Sequence, residues 1–442
     1  MPLAPNARYP NPESRSAALY ARAREVMPSG NSRLTVFFPP YPAYIRSGEG
    51  ARIVDEDGVE RLDFINNYSA LLHGHRHPQI MAAVADQMGR LTAVGAPTES
   101  EIALAELLVE RIPSVEQVRF ANSGTEAVML AIKAARAFTG RPKIAKVEGC
   151  YHGGYDVAEI SQQPTSDEWG PADRPASAPL SAGTPRGVLD DVVILPWNNV
   201  EASRRLLEEA GDRLAGVLID PLPSRLALTP ISTDYLAMLR EVTTRLGALL
   251  ILDEVYSLRL GYRGAQGELG VTPDLTTMAK IIGGGFPVGA LGGRREVMSV
   301  FSFDTGRPMV PHGGTYNANP VTMAAGRVAM ELFTPQAAQE LAALGDRMRA
   351  GLAECLKLAG REGLVKGQAS LALLSLSDRP FSDHRELSYV AKFAEAQTAV
   401  HRELMNRGVF TSPALMFTLS TAMTAADIDF TLEQVLQALR TL

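Results

Sequence analysis

The chain has 442 residues, 46% hydrophobic and 21% charged, an ordinary composition for a globular protein large enough for two or three domains. Its net charge of −6 and sequence pI near 5.8 give no electrostatic case for binding nucleic acid or an anionic membrane. Two cysteines, Cys150 and Cys355, cannot build a disulfide framework, and no charged-then-apolar leader or run of ~18 apolar residues occurs, so a cytoplasmic protein is expected.

In chain order, Ala43 to Phe64 reads as a hairpin turning at Asp57-Gly58. From Gln117 to Gly293 short apolar runs alternate with helical patterns. The predicted strands are Gln117–Ala121, Lys143–Val147, Asp191–Leu195, Ala215–Ile219, Ala248–Leu252, Thr276–Ala279 and Gly289–Gly292. Several are apolar on both faces, which suits a parallel sheet covered by helices. Thr125–Phe138 is apolar nearly all round and stops at Gly140, which predicts a deeply packed helix. Gln162–Gly187 is rich in Pro, Ser, Ala and Gly without periodicity, the pattern of a functional lid or a disordered loop. Asn317–Leu358 predicts two helices, the second from near Pro335. Beyond it, strands at Leu371–Leu376 and Leu415–Leu419 accompany helices at Arg385–Asn406 and Ala425–Leu439. A capping-box-like Thr424–Asp427 opens the last helix. This is an α/β chain with ligands expected at the carboxyl ends of its strands.

Four features fall there. Ser123-Gly124-Thr125 joins a strand to a helix start and would expose N–H groups and hydroxyls to a phosphate; a plain helix cap by Ser123 or Thr125 explains the same residues. Cys150-Tyr151-His152-Gly153-Gly154 offers an aromatic that could stack on a flat cofactor, or that simply packs. Asp253 ends an apolar strand, where an unpaired carboxylate costs several kcal/mol. A protonated pyridine nitrogen or a structural ion pair with Arg259 would each stabilise it. Lys280, 27 positions later and closely followed by three glycines, is either a surface lysine or an amine that does chemistry. Asp253 and Lys280 together read as the protein's side of pyridoxal phosphate catalysis, a Schiff-base lysine with the acidic partner of a pyridinium. Burial and a nearby cation would lower the lysine's pKa into a useful range. No metal site is expected.

The chain resembles the class III, fold-type I pyridoxal-phosphate-dependent aminotransferases over nearly its whole length. Within them it is similar to the branch holding glutamate-1-semialdehyde aminomutase and the β-amino-acid (β-phenylalanine) aminotransferases. The runs that carry the likeness are Phe120–Ala127, Glu148–Gly153, Leu252–Val255, Pro273–Gly285 and Gly314–Pro320. The resemblance implies a large, mainly parallel domain at 68–325 and a smaller α+β domain formed by 1–67 and 326–442. It implies that Lys280 forms the Schiff base and that Asp253 pairs with the pyridine nitrogen. Val255 and Tyr151 take the two ring faces, His152 belongs to the cofactor site, and Ser123, Gly124 and Thr125 bind the phosphate. Thr315 is expected to reach the phosphate of a neighbouring subunit, so a homodimer shares its sites. Gln162–Gly187 coincides with the mobile gating loop of the aminomutase.

Substrate recognition departs from the relatives. Their C-terminal carboxylate-binding arginine after Ser-Pro is replaced by Ala414, which cannot make a bidentate contact. Arg33 matches the N-terminal arginine of the group, and could equally be a surface residue. Arg225 could supply an anion site or pair with Asp220. Tyr68 is expected to line the substrate pocket, and Tyr256 replaces a glutamine that touches the ring hydroxyl. The expected activity is transfer of an amino group from an amino acid or amine to a keto or aldehyde acceptor, through the pyridoxamine form. An aminomutase, or a lyase or racemase on the same scaffold, is the alternative.

Overall fold

The computed structural model describes residues 8–304 and 306–442. The chain divides into two compact units: Met1–Pro78 with Glu340–Pro380 and Val390–Leu442, and Gln79–Gln339 with Phe381–Tyr389.

The second unit is built on a seven-stranded sheet. Its spatial order is Gln117–Ala121, Gly289–Gly293, Leu275–Ala279, Leu249–Asp253, Leu214–Ile219, Lys143–Val147 and Val192–Leu195. Gly289–Gly293 is antiparallel to both its neighbours, and the remaining pairings are parallel. The central strands are buried on both faces, as their largely apolar content requires. Against the sheet packs the helix Gly124–Thr139, whose Ala127, Val128, Leu130, Ala131, Ile132, Ala134 and Ala135 are all buried. It ends at Gly140 in the left-handed conformation, whose N–H returns to the Arg136 carbonyl. Because six strands run in one direction, their carboxyl ends, at Ala121, Val147, Leu195, Ile219, Asp253 and Ala279, lie along one edge of the sheet.

The first unit holds a three-stranded antiparallel sheet of Gly363–Lys366, Leu371–Leu376 and Met416–Thr418. A four-stranded sheet joins Ile45–Glu49, Arg52–Asp55 and Glu60–Asp63 to Val409–Phe410 near the other end of the chain. The expected hairpin over Ala43–Phe64 is therefore three strands, because a turn at Gly50, with φ of 54°, precedes the one at Asp57-Gly58. Thr424 caps the helix Ala425–Arg440 with a full capping box. The continuous helix expected over Arg385–Asn406 is broken. His384–Ser388 and Ala394–Asn406 are separated by the 3₁₀ segment Tyr389–Phe393, and Arg385, within the first helix, pairs with Glu148.

Candidate active site

Asp253 ends its strand buried, and three donors converge on its carboxylate. His152 Nδ1 lies 2.7 Å from Oδ2, and the Thr277 hydroxyl and Val255 N–H lie 2.9 and 3.0 Å from Oδ1. Burial by itself would push the carboxyl up, but these donors hold it below the ordinary carboxylate range. Burial keeps His152 below its usual value despite Asp253, so a neutral imidazole donates to an anion. The donors to Asp253 are thus His152, Thr277 and the Val255 N–H, and Arg259 acts on Lys280.

Lys280 follows the strand Leu275–Ala279 at φ of 55°, a left-handed conformation that costs a non-glycine residue roughly 1–2 kcal/mol. Its Nζ stands 5.2 Å from the centre of the Tyr256 ring. The residue is partly buried, with protein packed around its amine. That burial, reinforced by Arg259 and opposed by Asp253 and Asp220, holds the amine below the ordinary lysine value.

Ser123 caps the sixteen-residue helix Gly124–Thr139, its hydroxyl oxygen accepting from the Glu126 N–H at 3.2 Å. Close approaches fix this turn against the sheet. A Cβ on Gly289 would lie 2.0 Å from the Ser123 carbonyl oxygen, and one on Gly124 would lie 2.9 Å from Val255. The Gly154 N–H donates to Thr125 Oγ1 at 3.2 Å, which brings the loop of Tyr151 and His152 to the same helix start. The first turn of this helix is therefore packed against Val255, with the loop of Tyr151 and His152 held beside it.

Tyr151 is 46% exposed, and the Arg225 guanidinium carbon lies 5.9 Å from its ring centre. Arg225 thus leans on Tyr151, and the alternative ion pair with Asp220 is not formed. Thr315 is exposed on a loop tied back by a 2.7 Å hydrogen bond from Asn122 to Asn317. In the other unit, Arg33 is exposed and donates to Asn67 Oδ1 at 2.9 Å. The Tyr68 hydroxyl donates to the Thr35 carbonyl.

Sequence reading missed several supports. Tyr68 belongs to a run, Asn66 to Ser69, in which all four residues have φ between 47° and 75°. Asp63 and Thr418 hold this left-handed turn through Asn66, and the Asn66-Asn67 pair was its sequence signal, since Asn tolerates that conformation best. Lys146 is fully buried, pushed down to about 8 by burial, and donates to the carbonyls of Ile160 and Cys150, which shapes the His152 loop. A lysine between Ala145 and Val147 in the strand Lys143–Val147 announced it. Glu148 and Arg385 form a two-pronged ion pair of 2.8 and 2.9 Å whose sequence separation hid it.

The class III aminotransferase family model matches residues 38–434. The chain belongs to the class III aminotransferases. A glutamate-1-semialdehyde 2,1-aminomutase of Ignicoccus hospitalis is 37% identical over 96% of this chain and 99% of its own. An omega-transaminase from Sphaerobacter thermophilus superimposes with a TM-score of 0.94 at 53% identity, covering 98% of each chain. A β-phenylalanine aminotransferase from Variovorax paradoxus does so at 0.86 and 36%, covering 96% of this chain and 93% of the other. This class III aminotransferase is a pyridoxal-phosphate-dependent enzyme of fold type I acting on small molecules. Its residues fit that cofactor: an anionic buried carboxylate, an amine held below its ordinary value, and a helix start approached so closely that a Cβ on Gly124 or Gly153 would strike Val255 or Thr125. Among the described residues no helix is long and apolar enough to cross a membrane.

Proposed function

We propose that Lys280 carries the cofactor covalently, that Asp253 accepts the pyridine N–H, and that a homodimer in the cytoplasm moves amino groups between an amino acid or amine and a keto or aldehyde acceptor. The single observation that carries this reading is the anionic Asp253, held by His152, Thr277 and the Val255 N–H, at the end of the strand paired with the one that leads into Lys280, whose amine is depressed. When bound, pyridoxal phosphate supplies a carbonyl that takes up the amino group and an electron sink for the substrate carbon. Asp253 keeps the ring nitrogen protonated, and His152 keeps Asp253 oriented. Val255 and Tyr151 confine the ring, while Ser123, Gly124 and Thr125 take the phosphate at the helix N-terminus. Lys280, as a free amine, takes and returns the proton at the substrate carbon. Thr315 reaches across to the phosphate of a second copy.

Borohydride reduction of the purified enzyme followed by peptide mapping should place the trapped cofactor on Lys280, and Lys280→Ala should abolish turnover. An adduct on another peptide would overturn the assignment. The curated relatives named as aminomutases support a second reading, in which the amino group moves within one substrate. Under it a single substrate suffices; a transaminase needs a donor and an acceptor, and a lyase releases ammonia without an acceptor.

A further inference from the structure

Beside Asp253 stands a second carboxyl that this chemistry leaves unassigned. The strands Leu214–Ile219 and Leu249–Asp253 pair in parallel with Ile219 opposite Leu252. One residue further, that register sets Asp220 next to Asp253 on the same face, at the ~4.8 Å spacing of neighbouring strands. Thr277 stands opposite Asp253 on the far side, so the row reads Asp220, Asp253, Thr277. Asp220 is 5% exposed and Asp253 4%. Two carboxyls that near in so dry a place do not both ionise; one keeps a proton. Their donors are divided unequally. Asp253 receives His152, Thr277 and the Val255 N–H, whereas Asp220 receives the N–H of Leu222 at 2.9 Å.

We infer that Asp220 is a positioning residue of the active site, holding the proton of the Asp220–Asp253 pair so that Asp253 stays the anion and Lys280 faces one carboxylate instead of two. The inference rests on the roles proposed for Lys280 and Asp253. The other titratable groups at this strand edge agree with it. Burial, and then Asp253, drive the Asp220 carboxyl well above its ordinary range, with Leu222 and Lys280 opposing and Glu254 adding to the rise. Glu254 itself is pushed up to about 7 by burial, against donors from Gln266 and Ala265. Cys150 is kept a thiol by burial and His152 is neutral; Lys146 acts on both, while Arg259 works against a charged Lys280. An ionised Asp220 would add a second anion favouring the ammonium form of Lys280. A protonated one leaves the amine free to act as a base nearer neutral pH.

Asp220→Asn is nearly isosteric and permanently neutral, which makes it the deciding variant. Infrared difference spectra of the full chain, with and without cofactor, should show a protonated-carboxyl carbonyl band at neutral pH that Asp220→Asn removes and that Glu254→Gln does not. The pH at which an acylating reagent begins to label Lys280 in the cofactor-free chain should stay within about 0.3 units in Asp220→Asn, whereas loss of a real anion there would lower it by roughly 1 unit or more. Such a fall, or an acid band untouched by Asp220→Asn, overturns the inference. Should the variant fail to fold, the wild-type spectrum decides alone, since an absence of any protonated-acid band beyond that of Glu254 contradicts it. Failure of the Lys280 assignment would appear separately, as a borohydride adduct elsewhere.

Discussion

Asp253 and His401 are both buried titratable side chains, and their partners separate them. Asp253 has three donors and stays charged. His401, 1% exposed, packs edge to face with Phe38, their ring centres 5.0 Å apart, and neither ring nitrogen finds a hydrogen-bond partner. Burial, helped by Arg402, pushes it down to about 4. Its folded-state pKa is thus below the unfolded value near 6.5, so the unfolded chain binds the proton more readily. The stability this neutral ring represents is complete above pH ~6.5 and is lost as pH falls toward ~4, at a cost of up to roughly 3 kcal/mol. His401→Leu should remove that acid-sensitive contribution and flatten the dependence of Tm on pH between those limits, with little loss at neutral pH because two unsatisfied nitrogens disappear. An unchanged acid slope in the variant would assign the sensitivity to another group.

At the scale of elements, the long segment Gln162–Gly187 has little regular structure but many fixed points. Arg385 reaches from the helix His384–Ser388 to the carboxylate of Glu148, and to the carbonyls of Trp169 and Gly170, with its guanidinium 5.3 Å from the Trp169 ring centre. His384 meets the Pro164 carbonyl at 3.0 Å. One fork-shaped cation therefore straps the loop to the residue that leads into Tyr151 and His152. Removing it leaves Glu148 buried and unpaired, a loss of about 3 kcal/mol for a pair of this burial. Arg385→Ala should lower Tm and raise hydrogen exchange across 162–176. Arg385→Lys should rescue it poorly, because an ammonium cannot serve a carboxylate and two carbonyls in one plane. Exchange rates equal to wild type in Arg385→Ala would mean the loop is held by its other contacts.

At the scale of the whole molecule, the loop of Thr315 also presents Tyr316 at 62% exposure, and Phe303 and Met309 are exposed close by in sequence. Large apolar side chains left open in this way are what a partner surface covers. The enzyme is expected to sediment as a dimer, and Thr315→Ala should weaken cofactor retention by roughly 1.5–3 kcal/mol, the worth of one hydrogen bond to a charged acceptor. A monomer with full activity would contradict the shared site. We propose that, with Ala414 unable to make a bidentate contact, Arg33 or Arg225 is the strong partner of any substrate carboxylate. Changing the true partner to Ala should cut kcat/KM on amino acids by roughly 2–5 kcal/mol equivalent and leave the other arginine nearly silent. Wild-type kinetics in both variants would exclude both, and equal activity on simple amines would point to an amine transaminase.

How far the chain can be read without coordinates follows from the range of each interaction. Strands such as Leu249–Asp253 and the helix after Ser123 are written locally, in apolar runs ended by Gly or by a capping residue, and their carboxyl ends marked the site before any contact was known. Asp253, Lys280 and Ser123 were legible because each is costly or unusual where it stands. Partners brought together from distant positions were not. His152 beneath Asp253, Arg385 on Glu148, Asp220 alongside Asp253 and Arg225 over Tyr151 depend on strand register and loop closure. The 3₁₀ segment Tyr389–Phe393 that divides the helix predicted over Arg385–Asn406 lay equally outside what local periodicity could show. The sequence by itself determined the α/β sheet, the family and the cofactor chemistry, because those rest on periodicity and local motifs. Only the tertiary structure decided which buried groups hold their charge, because burial and donor geometry set a pKa and both arise when distant segments pack together.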